Sequence, residues 1–160
     1  MPCPGNWTLQ EDKIHCCLGT FYFPAAFQKC IGWTEFGKYN VRTQDELYAE
    51  CEKYGAVAVS IENEAQNNEL TTKFSTFEVA AERFIIGYQI PEQTAWSEDA
   101  FQWINASSSQ YRGWFTAPQP EERITVLLIN GTWKSVTFDE ARDVQLMGCM
   151  INAVVAAKNE

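Results

Sequence analysis

Six cysteines, Cys3, Cys16, Cys17, Cys30, Cys51 and Cys149, constrain this chain more than any other feature. An even count with no Cys-x-x-Cys spacing points to three disulfides rather than a metal site. Histidine agrees: His15 is the only one, which leaves zinc few partners. Adjacent cysteines rarely bond each other, because the bond geometry strains the peptide between them. Cys16 and Cys17 should therefore reach Cys3 and Cys30, in one order or the other. Residues 1–30 read as a cysteine-rich N-terminal extension stapled to a domain over 31–160, not as a second domain. Paired cysteines favour an oxidising, secreted context. Three Asn-x-Ser/Thr sequons, at Asn6, Asn105 and Asn130, favour the same context and are candidate glycosylation sites.

Composition narrows the partners. With 46% hydrophobic residues in 160, the chain can bury the core of one domain. No apolar run approaches the roughly 20 residues that span a bilayer, so no membrane insertion is expected. Met1-Pro2-Cys3-Pro4 has no apolar leader core and reads as a mature or trimmed start. A net charge of −9 repels phosphate backbones and anionic lipids, which argues against nucleic acid and membrane partners. Nothing supports an enzyme. No nucleophile–base constellation can be built around His15, and there is no glycine-rich phosphate loop or zinc motif. Glu98-Asp99 and Glu121-Glu122 read as exposed acidic runs rather than catalytic pairs.

Local signals divide the chain. Thr43-Gln44-Asp45-Glu46 has the capping-box pattern; with Leu47, Cys51 and Tyr54 at helical spacing and Gly55 as a stop, it predicts a helix at about 44–54. Ala56 to Ile61 is a short β-branched run, read as a buried strand. Asn63-Glu64-Ala65-Gln66 opens a second helix to about Phe74. Phe84 to Tyr88 reads as another strand. Pro91 to Pro120 is turn-rich, and so long a stretch inside a compact domain tends to be functional. Thr125 to Ile129, Asn130-Gly131 and Thr132 to Phe138 predict a hairpin with a two-residue turn. A last strand should carry Leu146, Gly148 and Cys149.

Several of these segments carry a family likeness. Glu46 to Ile61 holds a cysteine and ends Gly-Ala-Val-Ala-Val-Ser-Ile. Phe84-Ile85-Ile86-Gly87-Tyr88 is followed by Phe101-Gln102-Trp103-Ile104-Asn105-Ala106-Ser107, then by Tyr111-Arg112-Gly113-Trp114 and the final hairpin. From about residue 30 to 152, in this order, they resemble the C-type lectin domain. Cys3-Pro4 with Trp7 resembles the hairpin that opens its long-form members. The resemblance implies an α+β C-type lectin-like fold: two helices, two small antiparallel sheets and a long loop region, stapled by disulfides. It also implies a Cys51–Cys149 bridge, whose loop of about 100 residues is worth on the order of 4–5 kcal/mol of chain entropy. The family's second bridge is missing: counting from Trp133 places its two halves at Ile124 and Phe138, both apolar, so packing can replace it.

The likeness breaks at the calcium site. The family's Trp-Asn-Asp is Trp133-Lys134-Ser135 here, and Lys134 is the wrong charge for a hard cation. The family's Glu-Pro-Asn or Gln-Pro-Asp triplet corresponds to Gln119-Pro120-Glu121. In the family that proline is often cis, which aims both neighbours at one point, and Pro120 is a candidate for the same. Gln119, Glu121 and Glu122 are the residual calcium-ligand candidates, but Lys134 and Ser135 disfavour the metal, and no cofactor is expected. Lys134 is read as replacing the cation by pairing with Glu121 or Glu122. A plain surface turn is the simpler reading of the triplet. Of the tryptophans, Trp103, Trp114 and Trp133 fall at family core positions. Trp96 should be the most exposed, with Phe115 next. Gln119, Glu121, Trp96, Asn105 and Ser107 are the candidate ligand-binding residues. The expected function is a secreted recognition domain that binds carbohydrate through the long loop without the usual calcium. The alternative is a calcium-independent protein–protein module, so the partner is a glycan or an extracellular protein.

Overall fold

The computed structural model describes residues 2–76 and 82–158. Three disulfides tie the chain: Cys3–Cys16, Cys17–Cys30 and Cys51–Cys149. The order left open by the adjacent pair is thus settled, with each N-terminal ring spanning 13 positions. Strands β1 (Trp7–Leu9) and β2 (His15–Leu18) form the opening hairpin, and β10 (Val154–Val155) adds to β2 as a third antiparallel strand. The first and last segments of the chain therefore share one small sheet.

The larger sheet has seven strands. Its path runs β3 (Cys30–Glu35), β9 (Leu146–Ile151), β5 (Arg83–Gln89), β7 (Ile124–Leu128) and β8 (Trp133–Val136). Two short strands join it, β4 (Val57–Ala58) on β9 and β6 (Gln102–Trp103) on β5. It is a mixed sheet, because β5 and β9 pair in parallel at Ile85 and Met147. The strand expected over 56–61 shortens to β4. Beyond it, Val59 is wedged between strands, donating its N–H to Gly148 and accepting from Gly87.

Helix α1 (Gln44–Glu52) begins at Thr43, whose hydroxyl accepts from the Glu46 N–H at 3.1 Å. The Glu46 carboxylate does not close the expected box; it accepts from the Arg42 N–H, one residue earlier. Helix α2 (Glu64–Phe74) repeats this geometry, with Asn63 capping Gln66 and Gln66 reaching back to the Glu62 N–H at 2.7 Å. A third helix, α3 (Phe138–Val144), departs from the two-helix expectation and fills the long interval between Phe138 and Cys149. There Thr137 and Glu140 do form a reciprocal capping box.

The hairpin turn differs from the expected two-residue form. Leu128 donates to the Thr132 carbonyl and Gly131 to the Leu128 carbonyl, leaving a three-residue loop of Ile129, Asn130 and Gly131. Gly131 closes it at φ +88°, a left-handed conformation that glycine takes without a Cβ clash. This register sets Ile124 opposite Val136, not Phe138. At the missing second bridge, buried Ile124 and Val136 pack in one core cluster, with Phe138 against them.

The sheet separates two cores. One holds Leu47, Tyr48 and Cys51 of α1 with Ile85, Val126 and Ala141; the other holds Leu70 and Phe74 of α2 with Phe84, Tyr88, Trp103 and Trp133. The second core is aromatic and lies under the long loop.

Candidate functional site

The loop between β5 and β7 is closed at its neck. Ile90 donates to the Arg123 carbonyl at 2.9 Å, and the Arg123 guanidinium donates to the carbonyls of Pro91 (3.0 Å) and Thr94 (2.7 Å). The N-terminus of α1 is tied to the same place, since the Gln44 side chain donates to Gln89 Oε1 and the Ile90 carbonyl, each at 2.7 Å.

Inside the loop, aromatic packing replaces regular structure. Tyr88 meets Trp103 at 4.8 Å between ring centroids and Trp114 at 5.9 Å, while Trp114 and Trp133 cross edge-on at 5.7 Å. Arg112 lies over the Tyr88 ring at 4.3 Å, its guanidinium held by the Ser109 and Tyr111 carbonyls. Burial pushes the Tyr88 hydroxyl above its ordinary pKa, and Arg112 opposes that shift. Trp133 is fully buried, and its indole N–H donates to Asn67 Oδ1 at 2.8 Å. Gly113 is required beside it: a Cβ there would come within 2.7 Å of the Trp133 ring.

Expectation and geometry part company at Trp96. It is half-buried, and its indole N–H donates to the Glu122 carbonyl at 2.9 Å, so it serves as a loop anchor rather than an exposed platform. The exposed ring is Phe115, with 73% of its surface open.

Gln119, Pro120, Glu121 and Glu122 form one reverse turn, in which the Glu122 N–H donates to the Gln119 carbonyl at 3.0 Å. Proline at the second position and φ +73° at Glu121 are the type II pattern. No peptide bond among the described residues is cis, so Pro120 does not converge its neighbours on one point. The Glu122 carboxylate faces inward. Its Oε1 accepts from the Gln119 N–H and from the Ser135 hydroxyl, both at 2.8 Å.

The expected pairing of Lys134 with Glu121 or Glu122 does not form. Successive strand residues point to opposite faces. Ser135 turns inward toward Glu122, and Lys134 turns to the face where α3 packs, lining a groove with Asp143 and Val144. Ser135, not Lys134, occupies Glu122.

Asn105 and Ser107 lie elsewhere. Asn105 Nδ2 donates to the Ser60 hydroxyl at 3.1 Å, and Ser107 donates to Glu62 Oε1 at 3.4 Å. They share no hydrogen bond with the Gln119–Glu122 turn, so the five candidate residues fall into two groups. Among the described residues no cluster of three or more His, Cys, Asp or Glu side chains could hold a metal. The role of Ser135 was missed in the sequence; a serine two positions from a fully buried tryptophan on one strand was the available signal.

No protein-family model matches the chain, and no curated protein matches it. Solved structures do. A calcium-independent type II antifreeze protein superposes with a TM-score of 0.60 at 16% identity, over 95% of each chain. Human lithostathine gives 0.63 at 15%, over 94% of this chain and 99% of that one. The Ca2+-independent C-type lectin SPL-2 from Saxidomus purpuratus gives 0.58 at 17%, over 93% of each. The chain has the C-type lectin-like fold. These neighbours are similar to it in architecture from end to end.

Proposed function

We propose that this chain is a secreted recognition domain that binds carbohydrate through its long-loop region without calcium. One observation carries the calcium-free part: the Glu122 carboxylate is already engaged by the Ser135 hydroxyl and the Gln119 N–H. A cation would have to break both bonds and find other carboxylates, and calcium wants six to eight oxygens. Solved neighbours that are named as calcium-independent support the reading. For the ligand, Phe115 offers an exposed apolar ring to a sugar face, and the exposed Gln119 and Glu121 offer polar groups to hydroxyls. Trp96 acts here by positioning the turn. Asn105 and Ser107 belong to a more distant edge of the same loop. In this reading residues 1–30 extend the domain at 31–160, and Asn6, Asn105 and Asn130 are the glycan acceptors.

A glycan array probed in calcium and again in chelator tests this, with Phe115→Ala alongside. Binding that survives chelator and falls in Phe115→Ala supports it. Protein recognition is the second reading, favoured by the same exposed Phe115. Binding to no glycan in either buffer would select it.

A further inference from the structure

The face of the large sheet opposite the long loop carries its own groove. Strand register sets Arg83 of β5 beside Leu128 of β7, and Val126 of β7 beside Lys134 of β8. Leu128 and Val126 are two residues apart, so all four side chains share one face. Trp133 and Ser135 occupy the other. Helix α3 covers part of the shared face and ends at Val144, where Gln145 turns left-handed at φ +59°. Past that end a concavity of about 570 Å³ remains open. Leu128, Ile129 and Val144 give it apolar surface, and Asn130 stands at its rim.

Arg83 and Lys134 both line the groove, and neither has an ion pair or side-chain hydrogen bond among the described residues. Two carboxylates line it too. Asp143 is neutralised by Lys38 at 2.6 Å, which holds its carboxyl below the ordinary range. Among the described lining residues Glu82 is then the one acid without an ion pair, facing Lys134 and Arg83, and Arg83 also acts on Asp143 through its charge. In a protein of net charge −9, this is a local excess of positive charge inside a walled site.

Two donors of fixed positive charge on one wall select an anionic group, and Arg83 can grip a planar or tetrahedral oxyanion with two N–H groups. The apolar surface suits the face of a ring. The Glu82 carboxylate would repel a bare polyanion but accepts hydrogen bonds from hydroxyls. We propose that this groove is a second binding site, for a saccharide bearing a sulfate or carboxylate group. It is independent of the long-loop reading, since it uses the opposite face and none of the same residues.

The test is calorimetric titration with three tetrasaccharides: a sulfated heparin-derived one, an unsulfated glucuronate-containing one, and uncharged chitotetraose. Binding of either charged probe, weakened at least tenfold by Arg83→Gln with Lys134→Gln and weakened by added salt, is the expected result. Which charged probe binds decides between sulfate and carboxylate. Lys53→Gln, which removes an exposed charge elsewhere, should change nothing. Equal loss in Lys53→Gln, no loss in the double variant, no binding of either charged probe, or equal affinity for a tetraglutamate peptide overturns the proposal. Should Arg83→Gln impair folding, Lys134→Gln alone and amide shift changes at Leu128, Asn130 and Val144 of the unsubstituted protein decide the matter. Shifts confined to the long loop would overturn it.

Discussion

The Ser135 hydroxyl donates to the Glu122 carboxylate at 2.8 Å, where the family likeness puts calcium ligands. The bond joins the edge strand β8 to the turn that closes the long loop. The same carboxylate accepts from the Gln119 N–H, while the Glu122 backbone N–H donates to the Gln119 carbonyl, so Glu122 closes its turn with side chain and backbone together.

Removing that carboxylate should loosen the loop. Glu122→Ala leaves the buried Ser135 hydroxyl and the Gln119 N–H without their acceptor. The expected cost is about 1–3 kcal/mol, or roughly 2–12 °C in Tm for a domain of this size. Thermal unfolding of the variant checks it, and Ser135→Ala, which removes a donor but leaves Glu122 its backbone partner, should cost less.

Glu121 separates structure from binding. Its φ of +73° is strained for a side chain with a Cβ and easy for glycine. Glu121→Gly should therefore leave Tm unchanged or raise it. A glycan affinity that falls in this variant isolates the carboxylate as a contact; a fall in Tm would show that the side chain supports the turn.

Asn67 is the second clamp on the site. It accepts from the Trp133 indole and donates to the Gly131 carbonyl at 2.7 Å, fastening α2 to the hairpin. Asn67→Ala strands both groups, one of them fully buried, and should cost about 1–3 kcal/mol by urea unfolding. A loss near zero would mean that water replaces the amide.

Acid stability should report the N-terminal hairpin. The His15 ring and backbone N–H groups beside Asp12 lower its carboxyl from 3.8 to about 2. A depressed carboxylate stabilises the fold above the unfolded value, and that contribution fades as pH falls from about 4 toward 2. Asp12→Asn should then melt below the unsubstituted protein at pH 5 and converge with it near pH 2. Parallel Tm curves across that range would contradict the assignment.

Much of the scaffold was legible because its signals are local. Thr43 and Asn63 are caps readable within four residues, and Asn130-Gly131 announces a hairpin by itself. The cysteines restricted the topology, though only the folded chain chooses Cys3–Cys16 over Cys3–Cys17. Helix α3 was hidden because Thr137 and Glu140, a proper capping box, sit where a strand was expected to continue to Phe138. The site was less legible, since its partners are distant in sequence. Trp96 finds the Glu122 carbonyl 26 residues away. Lys134 turns from the turn at Gln119–Glu122 because β8 alternates faces, and a one-residue change of phase would have brought it there.

The account rests on a long-loop site that holds together without an ion. Thermal unfolding in excess calcium and then in chelator tests it most directly. A ligand that binds only the folded state adds about 2.7 kcal/mol at a hundredfold excess over its Kd, or roughly 5–10 °C here. The account predicts the same Tm in both buffers. A calcium-dependent rise of that size would contradict it and would require Glu122 to exchange Ser135 for a metal.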